Sequence, residues 1–108
     1  MANTYKSYFV DLTTTSKTLI YTVPALTTAL VKTIQLTNET GSINVQVYVT
    51  DTSAAIEYEV SHTTLAARST ENFAKGSIVL EAGDLIKIQA ATANTVTGVI
   101  SVLEISYA

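Results

Sequence analysis

Between Ile43 and Thr50 the chain alternates without a break, with Ile43, Val45, Val47 and Val49 set against Asn44, Gln46, Tyr48 and Thr50. A side-chain period of two is that of an extended strand with one face in a core and one face wetter, and β-branched residues favour that pleated geometry. The same signal recurs in short runs along the chain, while helical periodicity is hard to find. The expectation is therefore an all-β chain.

The runs and their breaks set the order of elements. A first run, Tyr5 to Leu12, is followed by a polar connection from Thr13 to Lys17. The next, Thr18 to Val23, stops at Pro24, which has no amide hydrogen for a ladder. Ala25 to Thr28 form a link. From Ala29 to Asn38, Leu30, Lys32, Ile34, Leu36 and Asn38 share one side, with Ile34 and Leu36 expected in the core. Asn38-Glu39-Thr40-Gly41-Ser42 is a turn signal, and Asp51 to Ala55 breaks the pattern again after the Ile43–Thr50 strand. Ile56, Tyr58 and Val60 then alternate with Glu57, Glu59 and Ser61, as in a half-buried strand.

His62 to Gly76 is the least regular stretch, with room for a strand near Thr63 to Ala66 or a helical turn around Thr70 to Ala74. Ser77 to Leu80 leads into Glu81-Ala82-Gly83-Asp84, where Gly supplies the turn geometry and Asp caps it. Ile86, Ile88 and Ala90 alternate with Leu85, Lys87 and Gln89. A polar loop, Thr92 to Thr97, ends at Gly98. The last run, Val99 to Tyr107, is apolar on both sides and fits a strand central in its sheet or covered by a neighbouring subunit. The sum is an antiparallel β-sandwich of about eight strands, jelly-roll or immunoglobulin-like.

With 108 residues the chain makes one domain, 1–108, with Met1 to Ser7 as a candidate N-terminal arm. Its hydrophobic share is 47% and its charged share only 14%, so Thr, Ser, Asn and Ala must cover most of the outside. That suits a protein partly covered by copies of itself or by a larger assembly. The net charge of −3 and the scattered Lys6, Lys17, Lys32, Arg68, Lys75 and Lys87 argue against a nucleic-acid partner. No secretory leader opens the sequence and no run is apolar enough to span a bilayer, so no membrane partner is expected. The chain has no cysteine, which removes disulfides, thiolate metal sites and a cysteine nucleophile.

Residues with chemistry in them each have a plain structural explanation. His62 is the single histidine, so no His-pair metal site or imidazole relay can form within one chain. Glu57 and Glu59 share a face about 6.5–7 Å apart, as in a glycosidase pair, but solvent-side glutamates on a strand are the commoner case. Asp51, Asp84, Glu39 and Glu81 fall in turns without calcium-loop spacing. There is no Gly-x-Ser-x-Gly elbow and no phosphate loop. Tyr5, Tyr8, Tyr21, Tyr48, Tyr58 and Tyr107 could stack on sugars, although tyrosine is ordinary strand composition. Asn38-Glu39-Thr40 fits the glycosylation pattern. No catalytic residue, cofactor or metal is expected.

Tyr21-Thr22-Val23-Pro24-Ala25, then Val31 to Asn38, a Gly-Ser turn into Val45-Gln46-Val47-Tyr48-Val49, and Val79-Leu80-Glu81-Ala82-Gly83-Asp84-Leu85-Ile86 before a closing apolar strand form an order that resembles small β-sandwich virion proteins of tailed bacteriophages. The resemblance spans roughly residues 17 to 107; its motifs serve the backbone. It implies a structural role without catalysis, foremost as a capsid decoration (cement) protein between capsid subunits, and alternatively as a tail, neck or fibre accessory protein. The implied partners are a major capsid protein or other virion protein and further copies of this chain, with a trimer favoured. The implied location is the virion, its capsid surface foremost, after synthesis in the bacterial cytoplasm. A carbohydrate-binding host-attachment module is the reading from a different class.

Overall fold

A computed structural model describes residues 2–107, and within them the chain forms nine strands and no helix. They are β1 (Ala2–Asp11), β2 (Thr18–Thr22), β3 (Thr27–Asn38), β4 (Ile43–Asp51), β5 (Ile56–Leu65), β6 (Thr70–Asn72), β7 (Ile78–Leu80), β8 (Leu85–Ala90) and β9 (Val96–Ser106). One sheet runs β1-β9-β3 and ends on β6 and β7, which share the outer edge of β3; the other runs β2-β8-β4-β5. Every pairing is antiparallel. The partners nest: β4 with β5, β3 with β6 and β7, β2 with β8, β1 with β9. This is one long hairpin rolled onto itself, so of the two expected sandwiches the chain adopts the jelly roll.

The core lies between the sheets. Ile34, Leu36, Ile100 and Val102 from the first face Val45, Val47, Ile86 and Ile88 from the second, all essentially without solvent contact. The expected core positions of the Ile43–Thr50 and Leu85–Ala90 segments hold because β4 and β8 are interior strands with one face on the opposed sheet. Val99–Tyr107 is central as expected, since β9 lies between β1 and β3.

Several expectations need correction. Leu30 and Lys32 do not share a side with Ile34: the ladder slips between Val31 and Thr33, so Ala29 and Val31 point inward before the bulge and Ile34 and Leu36 after it. Residues 70–74 form no helical turn. Thr70–Asn72 is β6, fixed by Asn72, whose Oδ1 accepts from the amides of Ile34 and Ala74 at 3.0 Å each. The segment from Ile56 to Val60 is not half-buried: every residue in it is exposed, because β5 is the edge of its sheet and the facing edge is made only of the short β6 and β7. Of the expected N-terminal arm, Met1 lies outside the described residues, and Ala2–Ser7 form the first part of β1, paired with β9 from Ala2↔Ser106 onward.

Asp84 does what its turn position suggests. Its carboxylate accepts from the amides of Glu81 (3.0 Å) and Thr52 (3.2 Å), tying the β7–β8 turn to the β4–β5 turn. In that second turn Ala55 sits at φ 56°, a left-handed conformation that costs an L-residue about 1 kcal/mol. Ala55→Gly is therefore expected to raise stability by about 0.5–1 kcal/mol, read from the urea midpoint at unchanged m-value.

Asn38 is fully buried, and its side chain organises the β3–β4 turn. Nδ2 donates to the carbonyls of Gly41 (2.8 Å) and Leu65 (3.1 Å), and Oδ1 accepts from the Thr40 amide (3.1 Å). A glycan on this nitrogen has no room, so the acceptor pattern here is turn chemistry. Asn38→Ala leaves these backbone groups without their partner and is expected to cost about 2–3 kcal/mol in thermal or urea unfolding.

Candidate functional surfaces

The charged candidates do not converge. Glu57 lies on the outer face of the β2-β8-β4-β5 sheet and takes ion pairs from Lys17 and from Lys87, the latter at 3.4 Å. These hold its carboxyl below the usual range, first through the hydrogen bond from Lys17. Glu59 instead meets His62 at 2.9 Å and Gln46 at 3.2 Å. The expected pair thus shares a face as two separately committed side chains. Among the described residues no cluster of His, Asp and Glu could hold a metal, and no pocket is formed.

The tyrosines are equally dispersed. Tyr48 is covered by the Lys17 ammonium, 4.1 Å from its ring centre. Tyr8 and Tyr21 lie against each other with ring centres 4.6 Å apart, and Tyr21 is buried. Tyr5, Tyr58 and Tyr107 are exposed, on β1, on β5 and just beyond β9 respectively, and do not form one platform.

Tyr8 and Tyr21 converge on a group that the sequence reading did not single out. Glu104 is 6% exposed, set inward on β9 within an otherwise apolar run. Its Oε2 accepts from the hydroxyls of Tyr21 at 2.6 Å and Tyr8 at 3.0 Å, while Oε1 meets the Lys6 ammonium at 3.2 Å. Burial pushes the carboxyl up, but the donors outweigh it and hold it below its ordinary value. Burial and the bonds to Glu104 push both tyrosines up. The available signal was the charge at the centre of an apolar strand. The cluster ties β9 to β1 and β2, with both carboxylate oxygens occupied by the protein's own donors.

The two broad outer faces differ. The outer face of β2-β8-β4-β5 carries the Lys17, Glu57 and Lys87 network with Glu59 and His62 beside it. The outer face of the other sheet is nearly free of charge. Register places Tyr5 opposite Leu103, Leu103 opposite Leu30 and Leu30 opposite Val79, so one apolar row crosses all four strand positions. Phe9 and Val99 begin a second row, and Ser7, Ser101 and Thr33 lie between. Tyr5, Phe9 and Val79 are 79%, 82% and 66% exposed, far more than single surface apolar residues need be.

No protein-family model and no curated protein matches the sequence. Among solved structures, a chain from the Bacillus endospore appendages, described as a novel family of disulfide-linked pili, is similar over 98% of this chain and 89% of its own, with a TM-score of 0.58 and 16% identity. A chain from a virus-like particle of the extra small virus of the giant freshwater prawn Macrobrachium rosenbergii covers 95% of this chain and 80% of its own at 14% identity, but its TM-score of 0.35 carries no argument. At such identities the appendage likeness is one of fold.

Proposed function

We propose that this chain is a structural subunit of a larger assembly, working by packing and not by catalysis, and that its setting is a virion, as a decoration protein of a tailed-phage head bound between capsid subunits. The observation that carries the reading is the sparsely charged outer face of the β1-β9-β3 sheet with its exposed apolar row, which water covers poorly and a neighbour covers well. The Glu57 and Glu104 carboxylates are held by the protein's own donors, which supports a role without chemistry at those two clusters. Repetition over many copies turns modest contacts into firm attachment.

A second reading has its own support. The likeness to an appendage subunit extends over nearly the whole of both chains, which favours a fibre or appendage subunit. Those pili are described as disulfide-linked, whereas this chain has no cysteine, so a fibre made from it would be held by packing alone.

Immunogold labelling of particles from producing cells distinguishes the two. Label on heads is the expected result. Label confined to tails or to free filaments overturns head decoration, filaments favouring the appendage reading, and a chain found only as free protein overturns both.

A further inference from the structure

Building on the reading of this chain as an assembly subunit, we propose that the outer face of the β1-β9-β3 sheet is a self-association surface, covered by the same face of a second copy related by a two-fold axis. Three observations select that occupant. The first is area. Strands of ten to twelve residues at about 3.3 Å rise, across four positions at about 4.8 Å spacing, give the face an area on the order of 700 Å². Stable two-partner interfaces bury roughly 600–1,000 Å² from each side.

The second is charge. Two copies, each with net charge −3, repel one another, and the opposite face carries Lys17, Lys87, Glu57 and Glu59, whose burial would desolvate four charges. On the strands of the proposed face the outward charges are two, Asp11 on the end of β1 and Lys32 at the bulge in β3. Pairing through this face buries fewer charges than pairing through the other.

The third is the order of side chains along the apolar row. A two-fold axis running along the strands, between β9 and β3, reverses the row Tyr5, Leu103, Leu30, Val79. It then sets Tyr5 over the partner's Val79 and Leu103 over the partner's Leu30. The most exposed side chains are at the two ends of the row and the half-buried leucines are at its middle. Each large end residue thus meets a smaller one, and leucine meets leucine at the centre, as in aligned packing of two twisted sheets. The result is four sheets stacked face to face, with the charged faces outward.

The test uses the purified full chain. Sedimentation at tens of micromolar is expected to give twice the chain mass, or an even multiple of it. Leu103→Glu is expected to shift the protein to monomer with its β circular dichroism retained, and Lys87→Glu on the opposite face to leave the association intact. Because the chain has no cysteine, Ser101→Cys treated with a short bis-maleimide reports on the face directly. Crosslinked dimer is expected for Ser101→Cys and not for Gln46→Cys. A monomeric or three-fold wild-type protein, or crosslinking through Gln46→Cys alone, overturns the proposal. Should Leu103→Glu fail to fold, the crosslinking pair still decides. A chain that stays monomeric yet labels particles fails here and keeps the assembly reading; one that pairs through this face but is found only as free protein does the reverse.

Discussion

Gly98→Ala is expected to destabilise the protein by about 3 kcal/mol, a fall in melting temperature of roughly 10–20 °C for a domain of this size. Gly98 is inside β9, opposite Val10 on one side and Leu36 on the other. A Cβ built there would lie 2.0 Å from the carbonyl oxygen of Gln35 and 2.9 Å from Cδ2 of Leu36. The first of these is backbone in the middle of β3, so it cannot turn aside as the end of a side chain can. Relief requires β3 and β9 to separate where they form the centre of their sheet. Differential scanning calorimetry of the alanine variant measures the effect; a melting temperature within a few degrees of wild type would show that β3 moves more freely than its packing suggests.

Glu104→Ala is expected to cost about 3 kcal/mol as well, by a different route. It leaves the buried Tyr21 hydroxyl without an acceptor and deprives Lys6 of its counter-ion. Glu104→Gln keeps the shape and one acceptor oxygen, so about half that loss is expected. The pH dependence follows from the direction of the shifts. Glu104 titrates lower folded than unfolded, so its contribution is complete above the ordinary carboxylate range and is lost as pH falls through the lowered folded value, below about pH 4. Tyr8 and Tyr21 titrate higher folded than unfolded. Their share is complete below about pH 10 and is lost as pH rises through the folded values. Urea unfolding from pH 3 to pH 7 is expected to show wild-type stability falling on the acid side more steeply than that of Glu104→Gln. Parallel curves would show that other carboxylates govern acid unfolding.

The strands legible in the sequence were those flanked by a strand on each edge, with one face on the opposed sheet and the other outward. Ile43 to Thr50 and Leu85 to Ala90 have that environment, and their inward residues are those the pattern marks. Local pattern was uninformative where distant chain decides. The bulge at Lys32 exists because β3 must match β9, and nothing near Lys32 announces it. Thr70–Asn72 is a strand because β3 offers it an edge, and the exposure of β5 follows from how short the facing β6 and β7 are. Gly98 reads as the end of a loop, but it is a point of close approach between two backbones. For the surfaces, sparse charge pointed to a covered exterior, while the assembly of Tyr5, Leu103, Leu30 and Val79 into one row needed the register of four strands.

The nested pairing also orders events in time. β4 and β5 are separated by a four-residue turn, whereas β1 and β9 are the first and last strands of the chain. Closing a loop costs more the longer it is, but each inner pair shortens the loop the next must close. The β4–β5 hairpin is thus placed to form early and β1–β9 to zip last, after the rate-limiting barrier. Both Gly98 and Glu104 are on β9, so their substitutions should act mainly by speeding unfolding, with refolding rates little changed. A chevron for Glu104→Gln would then show its unfolding limb raised and its refolding limb superposed on the wild type. A domain built this way loses its last-formed pairing first, and its lifetime under stress is set by how firmly that pairing is held.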